Sequence, residues 1–201
     1  MLILTSYGFR APIVAEKLRN VVETKDKTVL IVPFAGFNNE SCARRETEGL
    51  IEFGFKAENI FVYDKECAEN NNKADYIYVP GGNTFKLLYE MKQCGAIEVI
   101  RNMVKNGSTY IGASAGAEVT TVDIEYVTIL EDNNYDFEDY CALGFTDDII
   151  IPHMDQRDHH LMSLCRRYAD RTRLAIGIAN DRVHIYDADE RGEFFYVDRI
   201  I

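Results

Sequence analysis

Short apolar runs alternate with amphipathic stretches along the 201 residues, and two different periods describe them. Residues 1–5, 28–33, 60–63, 76–79, 109–111, 149–151, 174–178 and 183–186 have the length and continuous hydrophobicity of buried strands. Between them, residues 12–23 set Ile13, Leu18, Val21 and Val22 on one helical face, and residues 42–53 repeat that pattern. Residues 84–93 carry Leu87, Leu88 and Met91 at helical spacing, behind polar residues able to cap the start. Strands alternating with helices predict an α/β fold, because parallel neighbours need a crossover connection and the crossing element is usually a helix. The stretch 131–139, acidic and rich in Asn, follows neither period and reads as a surface loop. Residues 194–197, after the Arg191-Gly192 turn, predict a hairpin partner for 183–186, so the sheet is expected to end in antiparallel strands.

Composition narrows the possible partners. The chain is 47% hydrophobic, enough for a sizeable core, and 33 acidic residues against 22 basic ones leave a formal charge of −11. Such a surface repels phosphate backbones and anionic lipid, so neither nucleic acid nor membrane is expected as a partner. No run approaches the roughly 20 apolar residues of a membrane span, and the first residues lack signal-peptide features, which predicts a cytoplasmic protein. Without repeats or a Pro/Gly/Ser-rich linker, residues 1–201 read as a single domain. Cys42, Cys67, Cys94, Cys141 and Cys165 are widely spread, with no spacing suited to a metal. They read as reduced thiols, and no metal or organic cofactor is expected.

The most informative segment is TYIGASAGAEVTT at 109–121, a buried strand leading through G-x-S-x-G into helix-compatible residues. A serine on a sharp strand-to-helix turn holds its hydroxyl above the sheet edge, and small neighbours let backbone and substrate approach. Ser114 is the candidate nucleophile, and the amide of Ala115 a candidate oxyanion donor. Pro80-Gly81-Gly82-Asn83-Thr84 forms a second backbone-exposing turn at the end of another strand, and Gly82 can supply the other oxyanion amide if the two strands are neighbours. The bland alternative for the serine turn is close packing or anion binding without catalysis.

A serine hydroxyl needs a base, and the histidines are His153, His159, His160 and His184. His153 follows a strand and Pro152, at the sheet end where a crevice would lie. His159 and His160 fall in a polar helical run, and His184 inside a strand. A carboxylate to orient the imidazole has several candidates. Glu131 and Asp132 lie in the irregular loop between serine and histidine, and Asp181 follows a late strand behind Asn180.

With IVPFAG at 31–36, VPGGNTFKLL at 79–88, YIGASAGAEV at 110–119 and IIPH at 150–153, in this order, the chain resembles the S51 serine peptidases, of the dipeptidase E or aspartyl dipeptidase type. Cyanophycinase is a more distant relative. The resemblance implies a flavodoxin-like three-layer α/β/α sandwich with a mostly parallel sheet, shared with class I glutamine amidotransferases. It also implies that Ser114 is the nucleophile, His153 the base, and the amides of Gly82 and Ala115 the oxyanion donors. For the triad acid, the Asp-Asn pairing in ILEDNN favours Asp132, whereas counting back from the histidine favours Glu131. Cyanophycinase-like relatives place a Glu just after a Gly-Ile strand, where this chain has Asn180, with Asp181 one residue later. An arginine in the segment after the histidine is expected to bind a substrate aspartate, and Arg157 is the candidate here.

The expectation is therefore a serine-type dipeptidase acting on short peptides, with N-terminal Asp as the candidate specificity, working as a monomer or a homodimer. An alternative keeps the fold and makes the serine turn a passive site for a small anion. An amidotransferase-like enzyme with a cysteine nucleophile is disfavoured, because Ser114 occupies the turn.

Overall fold

A computed structural model describes residues 1–65, 73–135, 137–169, 174–188 and 194–197. Seven strands form one sheet in the order β3-β2-β4-β5-β1-β8-β9, built from Leu2–Thr5 (β1), Val29–Ile31 (β2), Ile60–Val62 (β3), Tyr76–Val79 (β4), Thr109–Ala113 (β5), Val183–Ala188 (β8) and Phe194–Val197 (β9). Strands β1 to β5 pair in parallel, and β8 runs antiparallel to both β1 and β9. The expected antiparallel ending is present. The Arg191-Gly192 turn lies outside the described residues, as does Cys67.

Alternation along the strands sends successive side chains to opposite faces, and each face carries its own core. Ile3, Val29, Ile31, Tyr76, Tyr78, Ile111 and Ala113 pack with Val14 and Leu18 of α1 (Pro12–Leu18) and with Leu50 and Phe53 of α2 (Asn39–Phe53). Leu2, Leu4, Leu30, Ile77, Val79 and Tyr110 pack on the other side with α3 (Thr84–Gln93) and α4 (Ala96–Lys105). Helices on both faces of a mostly parallel sheet make the α/β/α sandwich expected from the sequence. Helix α4 adds to the helices picked out by periodicity: Gly95, at φ 70°, breaks it from α3, so the two read as one blurred amphipathic stretch. None of the helices among the described residues is long and apolar enough to cross a membrane.

Two late strands do not join the main sheet. β6 (Ile149–Pro152) and β7 (Ala175–Ile178) pair in parallel with each other, forming a separate ladder against the α5 side of the molecule, where α5 is Ala115–Glu118. Ile149, Ile150, Ile151 and Ile178 are buried in the same core as α3 and α4. This small sheet brings residues 153 and 180 to the carboxyl ends of β4 and β5, where the sheet leaves a crevice.

Candidate active site

Ser114 stands between β5 and α5 with φ 50° and ψ −114°, a conformation costly to any residue with a Cβ. Its own backbone is tied down on both sides. The Ser114 amide donates to Thr5 O at 3.0 Å, and Ser114 O accepts from Ala117 N and Glu118 N at 2.8 and 3.0 Å. The bend is as sharp as it is because α5 presses on the sheet: a Cβ on Gly116 would lie 1.9 Å from Val79 O. Small residues are therefore required on both sides of the serine by packing, before any chemistry is considered.

Three chain segments deliver the groups around its hydroxyl. The β4 turn brings Gly81 so close that an added Cβ would sit 2.8 Å from Ser114 Cβ, and Gly82 follows with room for no side chain, since its Cβ would fall 2.0 Å from Ala35 O. Asn83 locks this turn, donating its amide to Ala35 O at 2.9 Å while its side chain accepts from Lys86 N and caps α3. Neither the Gly82 nor the Ala115 amide has a protein acceptor among the described residues, so both are available to a ligand oxygen. On the opposite side, His153 follows β6 in the left-handed region at φ 58° and sets Nε2 3.0 Å from Ser114 Oγ.

The group at His153 Nδ1 is Asn180 Oδ1, at 2.7 Å. Asn180 comes directly after β7 and is steadied by its own amide, which donates to Asp155 Oδ1 at 3.1 Å. An amide oxygen at Nδ1 calls for the tautomer protonated there, which leaves a lone pair on Nε2 facing the serine hydroxyl. The three carboxylates considered for this place lie elsewhere. Asp132 is exposed in its loop, Glu131 Oε1 accepts the Thr84 amide at 2.6 Å, and Asp181 sits 3.5 Å from Arg182. The physical reason is topological: the β6–β7 ladder carries position 180, not the 131–139 loop, to the imidazole.

Arg157 is likewise not in the cleft. Its Nε donates to Pro152 O at 2.8 Å and its Nη2 lies 3.8 Å from Glu118 Oε1, so it braces the end of β6 against α5. Of the remaining histidines, His159 and His160 are exposed on α6 (His159–Cys165), and His184 is buried in β8.

Two groups have no motif to announce them. Ser6, buried at the end of β1, accepts from His153 N and donates to Ile178 O, each at 2.9 Å, and so fastens His153 and the strand before Asn180 to the sheet. Glu118, fully buried one turn after Ser114, accepts from Thr84 Oγ1. Burial pushes its carboxyl up to about 7, with the charge of Glu131 adding to the rise while the Thr84 hydrogen bond and Arg157 oppose it. Polar breaks at Thr5-Ser6 and a Glu at the end of GASAGAE are the only sequence signals for either.

The cleft over Ser114 encloses about 190 Å³, and its wall includes Tyr7, Arg10, Arg45, Glu46 and Tyr78. A larger hollow of about 740 Å³ opens at the amino ends of β2, β4 and β5, where several polar groups are spent on one another: Lys27 and Thr28 both bond Asp75, and Ser108 Oγ donates to Ala74 O. Size alone would select that end of the sheet, whereas the serine hydroxyl beside an imidazole marks the carboxyl end. Among the described residues, no group of three or more His, Cys, Asp or Glu side chains converges as a metal site would require.

Comparison with known proteins assigns the chain a family. Residues 2–190 match the model of peptidase family S51. The Listeria monocytogenes peptidase Lmo0363 is 34% identical over 134 residues, covering 63% of this chain and 65% of that protein. A Drosophila melanogaster protein named "Probable alpha-aspartyl dipeptidase" is 36% identical over 100 residues, 49% of this chain and 41% of its own. The matched segments thus span less than two thirds of these curated relatives. A crystal structure of a Listeria monocytogenes EGD-e protein described as a peptidase E superposes with a TM-score of 0.72 at 25% identity, over 100% of this chain and 96% of the other. The chain belongs to peptidase family S51.

Proposed function

We propose that the chain is a serine-type dipeptidase that hydrolyses short peptides, with an N-terminal Asp as the candidate preference, through an acyl-enzyme on Ser114. His153 Nε2 takes the Ser114 proton as Oγ attacks the scissile carbonyl carbon, and the oxyanion that forms is met by the amides of Gly82 and Ala115. Collapse of the tetrahedral intermediate breaks the C–N bond, and the proton on Nε2 passes to the leaving amine. Water, deprotonated by the same nitrogen, then attacks the ester, and the acid product leaves with Ser114 Oγ reprotonated. Asn180 holds the tautomer throughout. Being neutral, it stabilises the transient imidazolium less than a carboxylate would, so the design relies more on orientation and the oxyanion amides.

The observation that carries this reading is the 3.0 Å approach of Ser114 Oγ to His153 Nε2 at a strained bend. A small peptide is the partner it requires, and the exposed free thiol of Cys141 fits the reducing cytoplasm as its place of action. The test is hydrolysis of Asp-Leu and a panel of other dipeptides by the wild type and Ser114→Ala. Turnover by the wild type that the variant loses supports the assignment, and equal rates refute it.

Asn180 in place of an acid favours a second reading, a passive anion site on the same fold. A fluorophosphonate probe separates the two, because labelling of Ser114 needs an activated hydroxyl and a passive site stays unlabelled.

A further inference from the structure

The cleft wall opposite Ser114 holds a small charged cluster drawn from two distant segments. Arg10 lies in the turn after β1, and Arg45 with Glu46 lies on α2. Glu46 is 3% exposed and is satisfied several times over. Tyr78 donates to its Oε2 at 3.0 Å, Arg45 donates through Nε to Oε1 at 3.0 Å, and Arg10 Nε approaches that same Oε1 at 3.6 Å. Two guanidiniums therefore meet at a single oxygen. They also stay open to the cleft, their side chains 46% and 47% exposed.

A buried carboxylate needs one cation. A second one, held where Tyr78 already supplies a hydrogen bond, leaves one unit of positive charge on the wall of a cleft in a chain of net charge −11. The fold also makes specific room for it. Gly49 on α2 faces the Arg10 stem, and an added Cβ would press to 3.1 Å from Arg10 Cγ. Guanidinium N–H groups left over from Glu46 point the recognition toward a planar oxyanion, since Arg pairs carboxylates in a fork that Lys cannot match.

We infer that Arg10 and Arg45, held by Glu46, form the subsite that takes a carboxylate of the peptide substrate, either the side chain of an acidic N-terminal residue or the free C-terminus. The inference rests on the peptidase reading for its substrate class, but its chemistry is that of carboxylate binding and is testable without turnover.

The experiment is calorimetric titration of the Ser114→Ala protein with Asp-Leu, Asn-Leu and the C-terminal amides of both. If the acidic side chain is the ligand, Asp-Leu and its amide bind alike and both Asn peptides bind at least about tenfold more weakly; if the terminal carboxylate is the ligand, both free acids bind alike and both amides are weak. Arg45→Gln and Arg10→Gln in the same background are expected to erase that tenfold preference while leaving the neutral peptide within about twofold, and Arg45→Lys to retain part of it. Equal binding of all four peptides, or binding of none, overturns the inference, as does a preference that survives both Gln variants. The four-peptide comparison decides even where a Gln variant fails to fold. Fluorophosphonate labelling of the wild type reports separately on the peptidase reading. An unlabelled protein that still discriminates carboxylates loses the peptidase and keeps the subsite, and a labelled protein without discrimination does the reverse.

Discussion

Replacing Glu118 by Gln tests how α5 is held. The carboxyl of Glu118 is fully buried beside Ser114's helix, with Thr84, Glu131 and Arg157 around it, and its titration is raised from 4.5 to about 7. A carboxyl whose native value lies above its unfolded one binds more protons folded than unfolded between those two values. Stability is therefore fully present below pH 4.5, falls as pH rises through the window, and levels off above 7. At about 1.4 kcal/mol per pH unit, the whole loss is about 3 kcal/mol. Gln keeps the shape, can still accept from Thr84, and has no charge to desolvate. Urea unfolding of both proteins at pH 5, 6, 7 and 8 isolates this group together with its coupling to Glu131, because the remaining titrations appear in both. The difference in stability, variant minus wild type, is expected to grow by about 2 to 3 kcal/mol in favour of Gln from pH 5 to pH 8. A difference that stays flat or shrinks would mean that Glu118 remains ionised in the fold, with Arg157, at 3.8 Å, outweighing burial.

Other perturbations follow from the same contacts. Asn180→Ala frees the imidazole to turn and to change tautomer, and kcat for a dipeptide is expected to fall about 100-fold or more with KM changed little; an unchanged kcat removes Asn180 from the site. Asn180→Asp places a charge at Nδ1, which favours the imidazolium and moves the acid limb of the kcat/KM profile to higher pH; a shift downward contradicts the contact. Ser6→Ala strands His153 N and Ile178 O, each a loss of about 1 to 3 kcal/mol, and a melting temperature equal to wild type would show that water replaces the hydroxyl fully. Gly116→Ala drives a methyl into Val79 O, and a loss of at least about 3 kcal/mol in urea unfolding is expected, with a tolerated variant showing that α5 can lift from the sheet.

Much of this protein is legible without coordinates. Strand alternation is local: Leu2 and Leu4 go to one core and Ile3 to the other because a strand repeats every two residues, whatever surrounds it. The serine bend is local as well, since Gly112 to Gly116 must turn from strand to helix within a few residues. The placing of Ser114 at the carboxyl end of β5 follows from a rule general to open parallel sheets, whereas His153 arrives from the separate β6–β7 ladder.

Which group meets His153 Nδ1 was decided by tertiary structure, although the resemblance to cyanophycinase-like relatives had already marked position 180. Composition drew attention to the acidic residues 131 and 132, nearer in sequence to His153, yet β6 pairs with β7 and delivers Asn180 from 27 residues further on. Which polar side chain meets a ring nitrogen depends on strand pairing between distant segments, and nothing in the chemistry of an acidic loop encodes that pairing. The same holds for Arg157, which a sequence position offers to substrate and the fold spends on Pro152 O, and for Arg10 and Arg45, which only the packing of α2 over the end of β1 brings to one oxygen. Periodicity and turns are properties of neighbours along the chain, whereas a site is a meeting of residues that the chain keeps far apart.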